Sequence, residues 1–126
     1  MDLTKPLSKV EVLLVIDAMS QYGVCVFRNT GLTDDQHVEF SRNFGYLERV
    51  PRPEGVRFRL PHRELFDASN LNVEGEITRD PAAILYRKGD GLWHTDSAFM
   101  AKRTSYSLLL AHEVPPEGGD TGFADA

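Results

Sequence analysis

The last third of the chain contains a short stretch, residues 91–99, in which two side chains could share one metal ion. His94 and Asp96 are two residues apart, and in extended backbone such side chains project to the same side. An imidazole and a carboxylate suit a borderline divalent metal, and with one more His they form the facial triad that leaves open positions on Fe(II). The spacing alone is a weak signal, because most such pairs only form a hydrogen bond or face solvent.

A second motif lies downstream, in residues 115–121. Gly118 and Gly119 permit positive φ angles and a close approach of the backbone, and the hydroxyl of Thr121, just after them, can donate to a carboxylate. The alternative is a plain turn between two strands, which the glycines alone would favour.

The amino-acid composition indicates what kind of protein contains these motifs. The 126 residues allow one modest domain, and 41% hydrophobic with 26% charged residues is ordinary for a soluble globular protein. The net charge of −5, with acids and bases interspersed, argues against nucleic acid as a partner. The sequence shows neither an apolar run long enough for a membrane span nor a signal segment, so the cytoplasm is expected. The single cysteine, Cys25, fits a reducing compartment and a packing role.

Two capping boxes predict helices near the amino terminus. The first pairs Ser8 with Glu11, and the second pairs Thr33 with Gln36. Each helix is expected to end at a glycine, Gly23 for the first and Gly45 for the second.

The remaining pattern predicts strands and one irregular connection. A β-rich run favours a buried strand at residues 24–27, and alternating side chains favour another at 104–112. Two weaker candidates are residues 65–73 and 82–86, with Asp80-Pro81 interpreted as a break before the latter. Three prolines predict an irregular exposed connection over residues 51–61.

Motifs along nearly the whole chain carry a resemblance. In the last third the matching positions are Trp93-His94-Thr95-Asp96-Ser97 with Phe99, and Glu113-Val114-Pro115-Pro116 with Gly118-Gly119-Asp120-Thr121, Phe123 and Asp125. Upstream they are Val26-Phe27-Arg28, Leu32-Thr33-Asp34 with Gln36, Phe40-Ser41-Arg42 with Phe44, Gly45, Leu47 and Glu48, and Ser69-Asn70. Together they resemble the taurine / 2,4-dichlorophenoxyacetate (TauD/TfdA) dioxygenase family. Ser69-Asn70 and the Tyr106-Ser107 context are most similar to its aryloxyalkanoate branch.

The resemblance implies a mixed α/β fold, in which residues 1–126 form the amino-terminal part of a double-stranded β-helix, or jelly roll, with flanking helices. It implies that His94 and Asp96 bind Fe(II), that Thr121 donates to a carboxylate of the cosubstrate 2-oxoglutarate, and that Asn70 lies near the substrate pocket. The implied reaction uses O2 to hydroxylate a small organic acid. An aryloxyalkanoate such as 2,4-dichlorophenoxyacetate would give a phenol, glyoxylate, succinate and CO2.

Two alternatives stay open at this point. The substrate could be taurine or another sulfonate, and the chain could be an inactive fragment that acts at most as an interaction module. In the family a further His ligand and an Arg for 2-oxoglutarate lie far beyond the position of Thr121, so we expect a partial sequence; homo-oligomers are also common in it. The remaining histidines are expected elsewhere: His112 as a packed or edge residue, His37 facing solvent on its helix, and His62 in the proline-rich loop.

Overall fold

The structure is a computed structural model that describes residues 1–125, with the side chain of Asp90 outside that description. The chain divides into two compact units. The first unit comprises residues 1–46 and the carboxy-terminal residues from Leu108 onward, and the second unit comprises residues 47–107.

The first helix, α1, spans Lys9–Tyr22 and begins at the predicted capping box. The backbone N–H of Ser8 donates to the Glu11 carboxylate at 2.8 Å, and the N–H of Glu11 donates to the Ser8 hydroxyl at 3.3 Å. Gly23 closes the helix with a φ of 72°, and its N–H donates to the carbonyl of Met19. Both predicted ends of α1 are therefore confirmed.

The second helix, α2, spans Asp34–Arg42 and begins at the second capping box, formed by Thr33 and Gln36. It ends at Asn43, so the prediction that Gly45 ends it is wrong. The backbone N–H of Asn43 donates to the carbonyl of Phe40 at 3.2 Å, and the Asn43 side chain donates to the same carbonyl at 2.8 Å. Both contacts supply partners to a carbonyl of the last helical turn.

The core of the first unit is small and lies around α1 and α2. Its buried apolar side chains are Leu3, Val15, Val38 and Phe40. Phe40 packs edge-to-face against Phe27 and Phe44, with ring centroids 5.8 and 5.2 Å away. Cys25, in the same unit, is half-buried and forms no disulfide.

The second unit contains a helix where a strand was predicted. Helix α3 spans Pro81–Arg87 and continues into a short 3-10 helix, Lys88–Gly91, so the predicted strand at 82–86 is wrong. Asp80 is the N-cap and accepts a hydrogen bond from the N–H of Ala82 at 3.0 Å. Proline is well suited to the first helical position, since it needs no hydrogen-bond acceptor there. The Asp80-Pro81 pair starts a helix here.

Residues 1–125 contain no assigned strand, and their one isolated bridge pairs Leu71 with Ile77 in antiparallel sense. The strands predicted at 24–27, 65–73 and 104–112 are therefore not formed, and Val26 is 72% exposed. Within 104–112 the predicted alternation persists, because Tyr106, Leu108 and Leu110 are half-buried between exposed neighbours. A strand also requires hydrogen bonds to a partner, which this pattern does not supply.

The irregular connection predicted over residues 51–61 is confirmed, since it contains neither helix nor strand. Most of its residues are exposed, as predicted, and the half-buried Arg52 donates to the carbonyls of Leu60 and His62 at 2.6 and 2.9 Å. No helix in the described part of the chain is long and apolar enough to cross a bilayer.

Candidate metal site

His94 lies in the second unit, three residues after the 3-10 helix, and a backbone carbonyl holds its ring. Its Nδ1 atom is 2.7 Å from the carbonyl oxygen of Leu92, which is in extended conformation. A carbonyl oxygen can only accept, so Nδ1 carries the proton in this contact. In the neutral ring the lone pair is then on Nε2, and a hydrogen bond of this kind is the usual support of a metal-ligating histidine.

The Nε2 atom faces the carboxylate of Asp96. The distance from Nε2 to Oδ1 is 3.3 Å. Ligand atoms about 2.1 Å from a divalent metal and at right angles to each other lie roughly 3.0 Å apart, so the two atoms are close to the separation that one shared ion requires. An imidazolium–carboxylate ion pair has a similar separation. Both side chains are about half exposed, which leaves them accessible to an ion from solvent.

Two hydrogen bonds fix the backbone that follows His94. The hydroxyl of Thr104 donates to the carbonyl of Asp96 at 3.2 Å, and the hydroxyl of Ser97 donates to the carboxylate of Glu48 at 2.5 Å. Ser97 has a φ of 54°, in the left-handed region that non-glycine residues rarely adopt. These contacts hold the turn after Asp96 through residues 8 and 49 positions away in the sequence.

The described residues contain no group of three or more His, Cys, Asp or Glu side chains arranged to hold a metal. His94 and Asp96 are thus two potential ligands. His112 does not join them in such a group: its Nε2 lies 2.8 Å from Oδ1 of Asp34. His37 is 8% exposed, so the prediction that it faces solvent is wrong; burial lowers its pKa, and the nearby Asp34 carboxylate acts in the opposite direction.

The glycine pair of the downstream motif has the predicted backbone. Gly118 and Gly119 have φ angles of 72° and 73°, and a Cβ atom on Gly119 would lie 3.0 Å from Cγ of Pro115. Positive φ and close approach are therefore both confirmed. Thr121 is exposed and lies in the first unit, and its role toward 2-oxoglutarate stays a prediction.

Asn70 lies at an open cleft in the second unit, with a volume of about 410 Å³. The cleft is lined by Phe66, Asp67, Ala68, Ser69, Asn70, Ala83, Tyr86 and Arg87. Sequence reasoning gave Arg87 no place in a substrate pocket. It also did not identify the Leu92 carbonyl as a support for His94, because every residue has a backbone carbonyl and the residue type therefore does not indicate this contact.

Comparison with known proteins defines the class. A model of the taurine catabolism dioxygenase TauD, TfdA family matches residues 1–126, and the chain belongs to this family. Among curated proteins it is similar to two alpha-ketoglutarate-dependent 2,4-dichlorophenoxyacetate dioxygenases. The one from Cupriavidus pinatubonensis is 39% identical over 98% of this chain, and the one from Burkholderia sp. is 41% identical over 94%. The chain spans 44% and 41% of their lengths.

Two further similarities bear on the site. An alpha-ketoglutarate-dependent sulfonate dioxygenase of Saccharomyces cerevisiae is 32% identical over 94% of this chain, which spans 27% of that protein. The crystal structure of AAD-2 in complex with Mn(II) and N-oxalylglycine superposes with a TM-score of 0.64 at 38% identity, covering 79% of this chain and 32% of AAD-2. The predicted family resemblance is confirmed.

Proposed function

We propose that the chain is part of an Fe(II)- and 2-oxoglutarate-dependent dioxygenase that acts on a small organic acid. The observation that carries this proposal is the pair of His94 Nε2 and Asp96 Oδ1, 3.3 Å apart, in a chain of the TauD, TfdA family. An imidazole nitrogen and a carboxylate oxygen are a donor set that suits Fe(II). The AAD-2 complex, which holds Mn(II) and N-oxalylglycine, supports a site for a divalent metal and a dicarboxylate.

His94 and Asp96 would hold the metal, and the carbonyl of Leu92 would keep the imidazole in its Nδ1–H form and increase the basicity of Nε2. Bound Fe(II) would supply the redox chemistry that couples oxidative decarboxylation of 2-oxoglutarate to hydroxylation of the substrate. Thr121 would donate its hydroxyl hydrogen to a carboxylate of 2-oxoglutarate, and Asn70 would contact the substrate. A jelly roll is the fold that we expect the complete protein to adopt around these residues.

The proposed substrate is an aryloxyalkanoate such as 2,4-dichlorophenoxyacetate. Insertion of one oxygen atom of O2 next to the ether oxygen gives a hemiacetal that separates into a phenol and glyoxylate, while the other atom enters succinate as CO2 leaves. The two 2,4-dichlorophenoxyacetate dioxygenases among the relatives support this choice. A sulfonate such as taurine is the second candidate, supported by the yeast relative. A reducing cytoplasm, the proposed location, fits the unpaired Cys25.

The test is a chimera in which residues 1–126 replace the matching segment of the Cupriavidus pinatubonensis dioxygenase, which this chain matches over 44% of its length. With Fe(II) and 2-oxoglutarate, we expect 2,4-dichlorophenoxyacetate to increase succinate formation more than taurine does. The His94→Ala chimera should lose this activity, whereas the His112→Ala chimera should keep it.

If taurine increased succinate formation more than 2,4-dichlorophenoxyacetate did, a sulfonate would be the preferred substrate. A folded chimera without any 2-oxoglutarate turnover would contradict the enzymatic role and favour a fragment that acts only through interaction. Folding of each chimera is checked by circular dichroism, so that loss of structure is not mistaken for loss of chemistry.

A further inference from the structure

The cleft beside Asn70 contains a guanidinium nitrogen that is buried without a hydrogen-bond partner. Arg87, the last residue of α3, is half-buried in the cleft wall and donates through Nη2 to the carbonyl of Leu71 at 3.2 Å. Its Nη1 atom finds no acceptor among the described residues. A buried charged donor without an acceptor is unfavourable, so an anion that reached Nη1 from the cleft would supply the missing acceptor.

The acidic residue of the cleft does not serve as that anion. Both oxygens of Asp67 accept hydrogen bonds from Arg59, each at 2.7 Å, and Ser69 also donates to this carboxylate. The contact with Arg59 holds the pKa of Asp67 below its usual value, so Asp67 stays charged and keeps its ion pair with Arg59. No described carboxylate forms a direct ion pair with Arg87. The Asp67 carboxylate acts on it electrostatically without such a contact, so the hydrogen-bonding capacity of Nη1 is left for a ligand.

The other walls favour a ligand with an aromatic ring. Phe66 and Tyr86 line the cleft and are 62% and 72% exposed, so both present apolar surface that a bound ring would cover. Asn70 is exposed and lines the same cleft, and its backbone carbonyl accepts a hydrogen bond from the N–H of Thr78 at 2.8 Å. A guanidinium fork, an amide and two aromatic surfaces are complementary to a small aromatic carboxylate.

We propose that this cleft binds the carboxylate of a small aromatic acid, with Arg87 as the anchoring cation, Asn70 as a second donor, and Phe66 and Tyr86 against the ring. Identification of that acid with the aryloxyalkanoate substrate rests on the function proposed above. The inference adds a residue, Arg87, that would select carboxylates over neutral compounds of the same shape.

The experiment is a calorimetric titration of the chain with three probes, in the absence of metal and 2-oxoglutarate. Phenoxyacetate has both the ring and the carboxylate, phenoxyethanol has the ring alone, and acetate has the carboxylate alone. We expect saturable binding of phenoxyacetate, with phenoxyethanol and acetate each weaker by about tenfold or more, the size expected when a hydrogen bond to a charged group is lost.

Variants separate the anchoring role from the structural one. Arg87→Gln should weaken phenoxyacetate binding by about tenfold or more, while Lys88→Gln, which removes a neighbouring charge outside the cleft wall, should leave it within about twofold. Arg87→Gln also disturbs the contact with Leu71, so Asn70→Ala is a second variant that keeps this contact and should still weaken phenoxyacetate binding. Circular dichroism and thermal unfolding establish that each variant is folded.

Equal affinities of the unmodified chain and a folded Arg87→Gln variant would overturn the proposal. So would equal binding of phenoxyethanol and phenoxyacetate, or the absence of saturable phenoxyacetate binding. Because these titrations contain no metal or cosubstrate, they are independent of turnover. If the chimera were inactive but phenoxyacetate binding depended on Arg87, only the proposed enzymatic role would be contradicted. If the chimera were active but phenoxyacetate binding did not depend on Arg87, only the proposed binding cleft would be contradicted.

Discussion

The carbonyl oxygen of Leu92 lies 2.7 Å from Nδ1 of His94 and so determines which ring nitrogen can meet a metal. This contact spans only two residues and depends on the extended backbone that follows the 3-10 helix Lys88–Gly91. With Nδ1 engaged, the lone pair of the neutral ring is on Nε2, the atom that faces Asp96. In the proposed metal site, backbone geometry would thus orient the imidazole before any ion binds.

The first prediction concerns this tautomer. In the metal-free chain, above the pH at which the ring is protonated, His94 should be in the Nδ1–H form. Nitrogen-15 chemical shifts of the imidazole, assigned by comparison with His94→Gln, distinguish the two forms. A dominant Nε2–H tautomer would contradict the proposed support from Leu92.

The second prediction concerns the turn after Asp96. Ser97→Ala keeps the unfavourable φ of 54° and loses the hydrogen bond to Glu48, so it should destabilise the chain by about 1 kcal/mol. Ser97→Gly loses the same bond but relieves the backbone, and should cost less than Ser97→Ala. Urea denaturation measures both. Equal losses would show that the backbone of Ser97 stores no strain.

The third prediction compares two neighbouring glycines. Alanine at either position would pay roughly 1–3 kcal/mol for a φ above 70°, but only Gly119→Ala would also place a Cβ 3.0 Å from Pro115. Gly118 has open space around its missing Cβ, so Gly118→Ala is the matched control. The free energy of unfolding should fall further for Gly119→Ala. A larger loss for Gly118→Ala would refute the close approach.

The fourth prediction is a pH dependence from His37. Burial lowers its pKa, so between the folded value and the unfolded value of about 6.5 the unfolded chain binds more protons than the folded one. Stability should therefore fall as the pH decreases from about 7 through this window. His37→Asn should flatten the dependence, as measured by urea denaturation at several pH values. An unchanged slope in that variant would assign the effect to another group.

The features predicted correctly from the sequence are local ones. The capping boxes depend on side chains three residues apart, so Ser8 with Glu11 and Thr33 with Gln36 could be recognised without knowledge of the rest of the fold. The glycine conformations followed from the same kind of reasoning. The proximity of the His94 and Asp96 side chains also belongs here, since the two residues are only two positions apart in the sequence.

The wrong predictions concern structural features that depend on residues distant in the sequence, or a sequence pattern that suits two different local structures. Strand pairing needs a partner far along the chain, so the alternation around Leu108 predicted side-chain exposure correctly and pairing wrongly. The burial of His37 depends on tertiary packing of α2, which its own sequence does not specify. Asp80-Pro81 suits both a loop and a helix start, and in this structure α3 follows it.

Titrating the chain with Mn(II), and following the free ion by electron paramagnetic resonance, measures whether His94 and Asp96 together bind a divalent metal. The structure offers a matched control, because His112 and Asp34 form a second imidazole–carboxylate pair at 2.8 Å. We expect one Mn(II) per chain, weakened by about tenfold or more in both His94→Ala and Asp96→Ala and unchanged in His112→Ala. Undiminished Mn(II) binding in the first two variants, or an equal loss in His112→Ala, would show that His94 and Asp96 do not form the metal site.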